Sequence, residues 1–218
     1  MLDKILLVIW FILRPKYYLH FFSLIKRKFL LNHDTTENKK KAIEWAEANS
    51  IPYIEAFNKL NIKGEIIGLD NETITQARKL EARSSVKMGG SGHIHLLYDC
   101  VRLLKVGNVL ETGVAYGWSS LSILKAISQN GFGKLFSVDM PYPRKKNEND
   151  VGIVVPTNLR QNWTLIRKPD NPGILNALNK AGGQIDLCHY DSDKSWWGRH
   201  YAYQILWESL NTGGLFIS

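Results

Sequence analysis

The sequence is poor in cysteine, and it contains no hydrophobic run of membrane-spanning length. Cys100 and Cys188 are the only cysteines among 218 residues, and both lie in apolar segments. Two such thiols are typical of reduced core residues rather than of a disulfide framework, which indicates a reducing compartment, here the cytoplasm. The longest apolar run, ILLVIWFIL at residues 5–13, would form about 14 Å of helix against the roughly 30 Å of a bilayer core. No small-residue cleavage site follows it, so the sequence predicts neither a membrane-spanning helix nor a signal peptide.

The positive charge is concentrated at one end of the chain. The formal net charge is +8, and residues 1–41 hold nine Lys and Arg against three Asp and Glu, a balance of +6. The rest of the chain is close to neutral at +2. Charge placed in this way predicts an attachment segment rather than a basic surface for nucleic acid, which we do not expect as a partner.

Residues 1–31 combine aromatic and basic side chains in a pattern that fits two structures. Five aromatic residues (Trp10, Tyr17, Tyr18, Phe21 and Phe22) accompany six Lys and Arg. Amphipathic helices of this composition lie at membrane interfaces, where each basic side chain near an anionic leaflet contributes about 1 kcal/mol. This interpretation places the protein at the inner face of the membrane. The other interpretation is a helical hairpin that packs on its own domain or on a second subunit, as in a homo-oligomer.

The remaining chain divides into a helical linker or cap region, residues 32–86, and a segment of alternating pattern, residues 87–218. In the second segment, strands are expected at 108–112, 134–140, 163–168, 185–191 and 215–218, and helices at 93–105, 117–129, 172–181 and 197–210. This alternation predicts an α/β fold with a Rossmann-like parallel sheet and helices on both faces. The first five strands are present, and N-terminal helices precede them. Ligands of such sheets bind at the carboxyl ends of the strands.

The loop after the first strand, ETGVAYGWSS from Glu111, can hold one of three ligand classes. A mononucleotide loop requires Lys followed by Ser or Thr after its last glycine, and none follows Gly117. The spacing of Gly113, Ala115 and Gly117 matches a dinucleotide loop only weakly. Glu111 would repel a pyrophosphate but can accept hydrogen bonds from an ammonium group, while the following helix N-terminus favours a carboxylate. A ligand with both groups is an amino acid or S-adenosylmethionine.

An acidic residue also ends the second strand of the pattern. Asp139, followed by Met140, closes the segment FSVDM. A carboxylate at this place can accept hydrogen bonds from both hydroxyls of a ribose. The pair of Glu111 and Asp139 at consecutive strand ends therefore favours an adenosine-containing cofactor over two unrelated turn caps.

With these residues in view, the sequence resembles the class I S-adenosylmethionine-dependent methyltransferases, and more narrowly a bacterial group with four ordered motifs. Here the motifs read ETGVAYGWSS, SVDMP, GIVVPTNLRQNW and HYDSDKSW, and together they fall within residues 87–218. The resemblance implies that Glu111, Gly113, Ala115, Gly117 and Asp139 bind the cofactor. Two departures stand out. The family's histidine after the acidic pair is replaced within Lys194-Ser195-Trp196, and the sequence ends in the fifth of seven family strands.

The fourth strand ends in a cluster of polar residues suited to catalysis. Methyl transfer to a hydroxyl requires alignment of the acceptor and removal of a proton, and His189 and Asp191 are the candidate catalytic residues. Asp191 and Asp193 are also a candidate site for a divalent cation such as Mg²⁺, which would lower the pKa of the acceptor hydroxyl. Against these roles, His189 can be a buried structural histidine, and Asp193 or Ser195 can simply cap the next helix.

The predicted function is methyl transfer to a small-molecule or glycan acceptor, on a hydroxyl of a glycan, a lipid-linked intermediate or a secondary metabolite. Two alternatives stay open. Asp191-Ser192-Asp193 also resembles the acidic motif of metal-dependent glycosyltransferases, although that reading leaves the glycine loop unexplained. A non-catalytic remnant of the cofactor fold is the other alternative, because an apolar fifth strand at a sheet edge needs another chain to cover it.

Overall fold

The computed structural model describes residues 2–30, 33–144 and 147–218. Two helices come first, α1 (Leu2–Ile12) and α2 (Tyr18–Leu30), joined by a 3₁₀ turn at Pro15–Tyr17. The next three are α3 (Thr36–Asn49), α4 (Tyr53–Lys59) and α5 (Asn71–Glu81). The break between α3 and α4 lies at Pro52, which precedes the first residue of α4. The domain boundaries drawn after residues 31 and 86 stay predictions.

The second half alternates between helices and strands, as predicted. In order, these elements are α6 (Ile94–Leu104), β1 (Asn108–Thr112), α7 (Trp118–Asn130), β2 (Lys134–Val138), β3 (Trp163–Ile166), α8 (Asp170–Lys180), β4 (Ile185–Tyr190), α9 (Trp196–Glu208) and β5 (Leu210–Ile217). All five strands pair in parallel, in the order β3-β2-β1-β4-β5. The Rossmann-like fold class is therefore confirmed.

Helices cover both faces of this sheet because neighbouring strand residues point to opposite faces. Val109, Leu135 and Leu187 join α6 and α7 in one buried apolar cluster. Leu110 and Cys188, one position further along their strands, join α8 and α9 in a second cluster. Both cysteines are free and buried, as the sequence predicted.

Strand β5 begins five residues earlier than expected. Leu210 pairs with Ile185, and Leu215 pairs with Leu187. Between these two pairs β5 has four residues and β4 has one, so the register of the pairing shifts within β5. The polar stretch between the two pairs, Asn211-Thr212-Gly213-Gly214, has the composition of a turn and hides the start of the strand in the sequence pattern.

The N-terminal helices α1 and α2 lie against the carboxyl edge of the sheet. Nη1 of Arg27 in α2 lies 2.5 Å from a carboxylate oxygen of Asp193, which follows β4. Nη1 of Arg144, after β2, lies 3.0 Å from the Asp3 carboxylate in α1. Within the described ranges no single helix has both the length and the hydrophobicity to cross a bilayer, and α1 and α2 meet those criteria only as a pair bent by 107°.

Candidate functional site

The site begins with three polar residues placed side by side by the strand register. Glu111 in the central strand β1 pairs with Ser137 in β2 on one side and with His189 in β4 on the other. Residues paired across parallel strands share a face of the sheet. Helix α7 covers that face and adds Ser120, whose hydroxyl donates to Glu111.

The two carboxylate oxygens of Glu111 have different surroundings. Oε2 accepts hydrogen bonds from Ser120 and from Ser137, the latter at 2.7 Å. Oε1 lies 3.6 Å from Nδ1 of His189, and the side chain of Glu111 is fully buried. Neither Oε1 nor this Nδ1 has a hydrogen-bond partner among the described residues. A buried carboxylate oxygen without a donor is costly, so this pair is an unusual feature of the core.

The glycine loop between β1 and α7 depends on left-handed backbone at two glycines. Gly113 has a φ of 80° and Gly117 a φ of 89°. A Cβ on Gly113 would lie 2.4 Å from the carbonyl oxygen of Asp191, and one on Gly117 would lie 2.8 Å from the Cα of Gly152. The glycine loop therefore packs closely against Asp191, which follows β4, and against Gly152, which lies in the segment between β2 and β3. Ala115, at a φ of 49°, shares the left-handed conformation.

Helix α7 starts directly after this loop without a side-chain cap, because its N-cap residue is Gly117. The N–H groups of its first turn point towards the loop and carry the positive end of the helix dipole. Such an end favours a carboxylate, as expected from the sequence.

A large cleft of about 1020 Å³ lies in front of the loop. Gly113, Ala115 and Ser119 line it from the loop and α7, and His189 and Asp191 line it from β4. The glycine-rich segment at residues 88–92 and the start of α4 form the opposite wall. We call this space the loop cleft. Glu111 stands behind His189 and is not part of its wall.

Asp139 lies at the end of β2, where the sequence predicted it. It contacts Arg167, a partner that the sequence pattern does not indicate. Nη1 of Arg167, just after β3, lies 2.5 Å from Oδ2 of Asp139 and donates to its backbone carbonyl at 2.8 Å. The other guanidinium nitrogens donate to both carboxylate oxygens of Glu148 at 3.0 Å. Arg167 thus links Asp139 to Glu148, which lies in the segment between β2 and β3.

Burial dominates the titration of Asp139. It raises the pKa of the carboxyl from 3.8 to about 6, although the charge and hydrogen bond of Arg167 oppose the rise. Desolvation disfavours the charged form, which explains the direction. Burial likewise raises the pKa of Asp170, at the start of α8, whose carboxylate accepts a hydrogen bond from Ser192 at 2.6 Å.

A second cleft, of about 360 Å³, lies beside the first. We call it the Asp139 cleft, because Asp139, Met140 and Asp170 line it from the sheet edge. Helix α2 supplies the facing wall. Gly113, Tyr142, Asp191 and Ser192 line both clefts. The predicted cofactor residues on the glycine loop and at the end of β2 are thus brought to adjoining spaces.

The candidate metal ligands Asp191 and Asp193 are each paired with a basic side chain. Lys194 Nζ lies 2.6 Å from Asp191, whose side chain is half-exposed, and Arg27 contacts Asp193. Although burial acts to raise the pKa of Asp193, hydrogen bonds from Ser195 and Arg27 outweigh it and lower that pKa. No three His, Cys, Asp or Glu side chains within residues 2–30, 33–144 and 147–218 are grouped to hold a metal. Ser195, rather than Asp193, caps α9 by accepting from the Gly198 N–H at 3.1 Å.

The third motif, GIVVPTNLRQNW, is hydrogen-bonded to the backbone of the glycine loop. The N–H of Gly152 donates to the carbonyl of Ala115 at 2.9 Å, and that of Val154 donates to the carbonyl of Tyr116 at 3.1 Å. Arg160 donates to the carbonyl of Gly152 at 2.7 Å. The third motif therefore holds the glycine loop in place, a role that no charge or spacing in the sequence indicates.

A parallel sheet with an uncapped helix after a glycine loop, and acids at successive strand ends, is the arrangement with which α/β proteins bind nucleotide ligands at the carboxyl edge of the sheet. The chain belongs to the methyltransferase domain family, which matches residues 110–218. This membership confirms the methyltransferase family predicted from the sequence and gives no support to the glycosyltransferase alternative. The narrower bacterial group stays a prediction.

Solved structures of methyltransferases share the fold at low sequence identity. The O-methyltransferase TomG from Streptomyces achromogenes is 17% identical, with a TM-score of 0.50, over 67% of this chain and 64% of that one. A putative O-methyltransferase from Klebsiella pneumoniae is 16% identical, with a TM-score of 0.48, over 66% and 62%. The methyltransferase PaMTH1 from Podospora anserina is 17% identical, with a TM-score of 0.48, over 86% and 70%. The chain thus spans less than two thirds of the first two proteins. No curated protein matches the sequence.

Proposed function

We propose that this chain is an S-adenosylmethionine-dependent methyltransferase that methylates a hydroxyl group. The observation that carries the proposal is the pair of Glu111 and His189 on the neighbouring strands β1 and β4, close to the glycine loop. Methyl transfer to a hydroxyl requires a group that accepts its proton, and His189 faces the loop cleft with a carboxylate behind it. The fold of TomG, solved in complex with S-adenosylmethionine, agrees with this cofactor.

The residues at the two clefts fit the parts of this cofactor. The first-turn N–H groups of α7 would receive the carboxylate of the methionine part, and the backbone of Gly113, Ala115 and Gly117 would shape the loop around it. Asp139 would accept hydrogen bonds from the ribose hydroxyls, and Met140 would contact the adjoining ring. When bound, the cofactor supplies a methyl group on a sulfonium.

For catalysis we assign His189 as the general base and Glu111 as the residue that positions it. If Nδ1–H of His189 donates to Oε1 of Glu111, Nε2 is left as the acceptor for the hydroxyl proton. The present 3.6 Å separation is longer than a hydrogen bond, so the contact would have to tighten in the reacting complex, as catalytic contacts often do. Asp191, which lines both clefts, would orient the acceptor.

The predicted divalent cation does not fit the donor set. Asp191 and Asp193 each have a cationic partner, and an ion would have to displace both Lys194 and Arg27. We therefore derive no step through a metal.

The acceptor in this proposal is a small molecule or a glycan, with a lipid-linked hydroxyl compound as the preferred class. The proposal includes a cytoplasmic location at the inner face of the membrane, with residues 1–31 as the contact. In the alternative proposal, the same residues form the contact between subunits of a homo-oligomer.

Calorimetric titration of the intact chain with S-adenosylmethionine and S-adenosylhomocysteine tests the proposal. We expect both to bind, and Asp139→Ala to weaken both. Failure of the folded, intact chain to bind either compound would overturn the proposal and favour the non-catalytic remnant. A matched control is Glu208→Ala, which removes an exposed carboxylate at the end of α9, away from both clefts.

A further inference from the structure

Helix α2 has two faces of opposite character. Tyr18, Phe22, Ile25 and Phe29 recur at helical spacing, and all four are exposed. Phe22 is 61% exposed and Phe29 is 77% exposed, which is unusual for phenylalanine in contact with water. On a helix, residues four, seven and eleven positions apart lie on one side. The outer face of α2 is therefore a continuous apolar stripe.

Helix α1 carries a similar set of exposed apolar residues. Ile5, Val8, Ile9 and Ile12 have the same kind of spacing, and all four are exposed. The two helices meet at a bend of 107° and are joined by packing of Phe11 on Phe21, with ring centroids 4.8 Å apart. Apolar patches of this extent on a protein mark a surface that something else covers.

The opposite face of α2 belongs to the candidate site. His20, Leu24 and Arg27, spaced four and three residues apart, line the Asp139 cleft. Arg27 is fixed there by its contact with Asp193. A helix with side chains is roughly 10 Å across, so a single helix separates the cleft from the outer apolar stripe.

The charges around the stripe identify what covers it. Lys26 and Lys28 are both exposed, and on the helix they flank the stripe on its two sides. Residues 3–29 contain six Lys and Arg and a single acid, Asp3, which pairs with Arg144. An isologous contact with a second copy would place this basic set against itself. An anionic membrane surface provides both the apolar and the negative partner.

We infer that α1 and α2 lie on an anionic membrane through this stripe, with α2 forming the wall between the lipid and the Asp139 cleft. The acceptor class follows from this geometry: a hydroxyl compound anchored in the membrane reaches the cleft past α2 without leaving the surface. This second statement rests on the proposed methyl transfer, whereas membrane binding does not.

Vesicle flotation with the full chain tests the inference. We expect binding to vesicles of phosphatidylcholine with phosphatidylglycerol, and weaker binding to phosphatidylcholine alone. Phe22→Gln with Phe29→Gln should reduce binding at least tenfold, since each phenylalanine loses a buried ring. Lys26→Gln with Lys28→Gln should also reduce binding at low salt, by about fivefold for each lysine removed. The matched control is Phe132→Gln, a phenylalanine of 50% exposure in the α7–β2 turn.

Two results would overturn the inference. One is a failure of the intact chain to bind anionic vesicles. The other is a stable dimer in sedimentation that Phe22→Gln with Phe29→Gln converts to a monomer, because the stripe would then be a subunit interface. Cofactor titration in the absence of vesicles is measured on the same samples, so loss of cofactor binding and loss of membrane binding are told apart.

Discussion

Oε1 of Glu111 lies 3.6 Å from Nδ1 of His189, and neither atom has a hydrogen-bond partner among the described residues. The register of β1 and β4 makes the two residues neighbours, while Ser120 and Ser137 hold the other carboxylate oxygen. The Glu111 carboxylate is therefore held by β1, which carries it, and by serines of α7 and β2. Its other oxygen, Oε1, faces the imidazole of His189. This arrangement supports the proposed role of His189 as a base that Glu111 positions.

Glu111→Gln tests the pair without removing its shape. The glutamine oxygen can still accept from the two serines, but its NH₂ would donate to Nδ1 of His189 and leave the proton on Nε2, where a base must accept. We expect the kcat for methyl transfer to fall about 10²-fold or more, with cofactor affinity changed by less than about threefold. Initial rates and calorimetry give the two values.

His189→Asn is the companion variant, and it should show the same loss of kcat. If Glu111 instead binds the cofactor ammonium directly, as the sequence alone suggested, Glu111→Gln would weaken cofactor binding strongly and His189→Asn would not. Circular dichroism and thermal unfolding verify that both variants are folded.

Cofactor affinity should depend on the ionisation of Asp139. Its pKa is raised to about 6 by burial, and an ionised carboxylate accepts from two ribose hydroxyls whereas a protonated one accepts less well. Because the ionised form predominates above pH 6, we expect the binding constant to fall by up to about tenfold per pH unit below pH 6. Titration calorimetry from pH 5 to pH 8 measures it.

Two variants connect this pH dependence to one residue. Asp139→Asn should bind weakly at every pH and lose the transition near pH 6. Arg167→Gln removes the positive charge that opposes the burial effect, so its transition should lie at higher pH than in the intact chain. An affinity that does not vary between pH 5 and pH 8 in the intact chain would contradict the ribose role.

Much of the framework could be predicted from the sequence because periodicity is a local property. Alternating apolar segments gave the strands and helices, and the glycine loop and Asp139 stand at the strand ends where they were expected. The start of β5 was placed too late, because Asn211-Thr212-Gly213-Gly214 has turn composition within a strand.

The contacts within the site depend on distant parts of the chain and could not be predicted in this way. Arg167 falls within the strand expected at residues 163–168, but its link from Asp139 to Glu148 requires the folded β2–β3 crossover. The ion pair between Arg27 and Asp193 joins residues 166 positions apart. Sequence pattern therefore located the sheet edge that carries the candidate site, but not the wall that α2 forms beside it.

The docking of α2 on the sheet edge should weaken when Arg27 is changed. Arg27→Gln removes a partly exposed ion pair with Asp193, which we expect to contribute about 1 kcal/mol or less. Amide hydrogen exchange in α2 should therefore accelerate by up to about fivefold, while exchange in β1 and β4 stays unchanged. Lys26→Gln, on the exposed side of the same helix, is the control and should leave the exchange unaltered. Equal exchange in both variants would show that apolar packing alone holds α2.

Close packing of the glycine loop can be separated from backbone strain by comparing two glycines. Gly117 and Gly182 have similar φ angles, 89° and 84°, but a Cβ on Gly117 would lie 2.8 Å from the Gly152 backbone, whereas one on Gly182 meets nothing within 4 Å. Gly182→Ala should therefore cost only the left-handed strain, about 1–2 kcal/mol. Gly117→Ala should cost about 1–3 kcal/mol more, since Gly152 must move, and it should also weaken cofactor binding. Urea unfolding measures the stability of both variants. Equal losses of stability would mean that the glycine loop has room to relax. In that case, its contact with Gly152 does not fix the conformation of the loop.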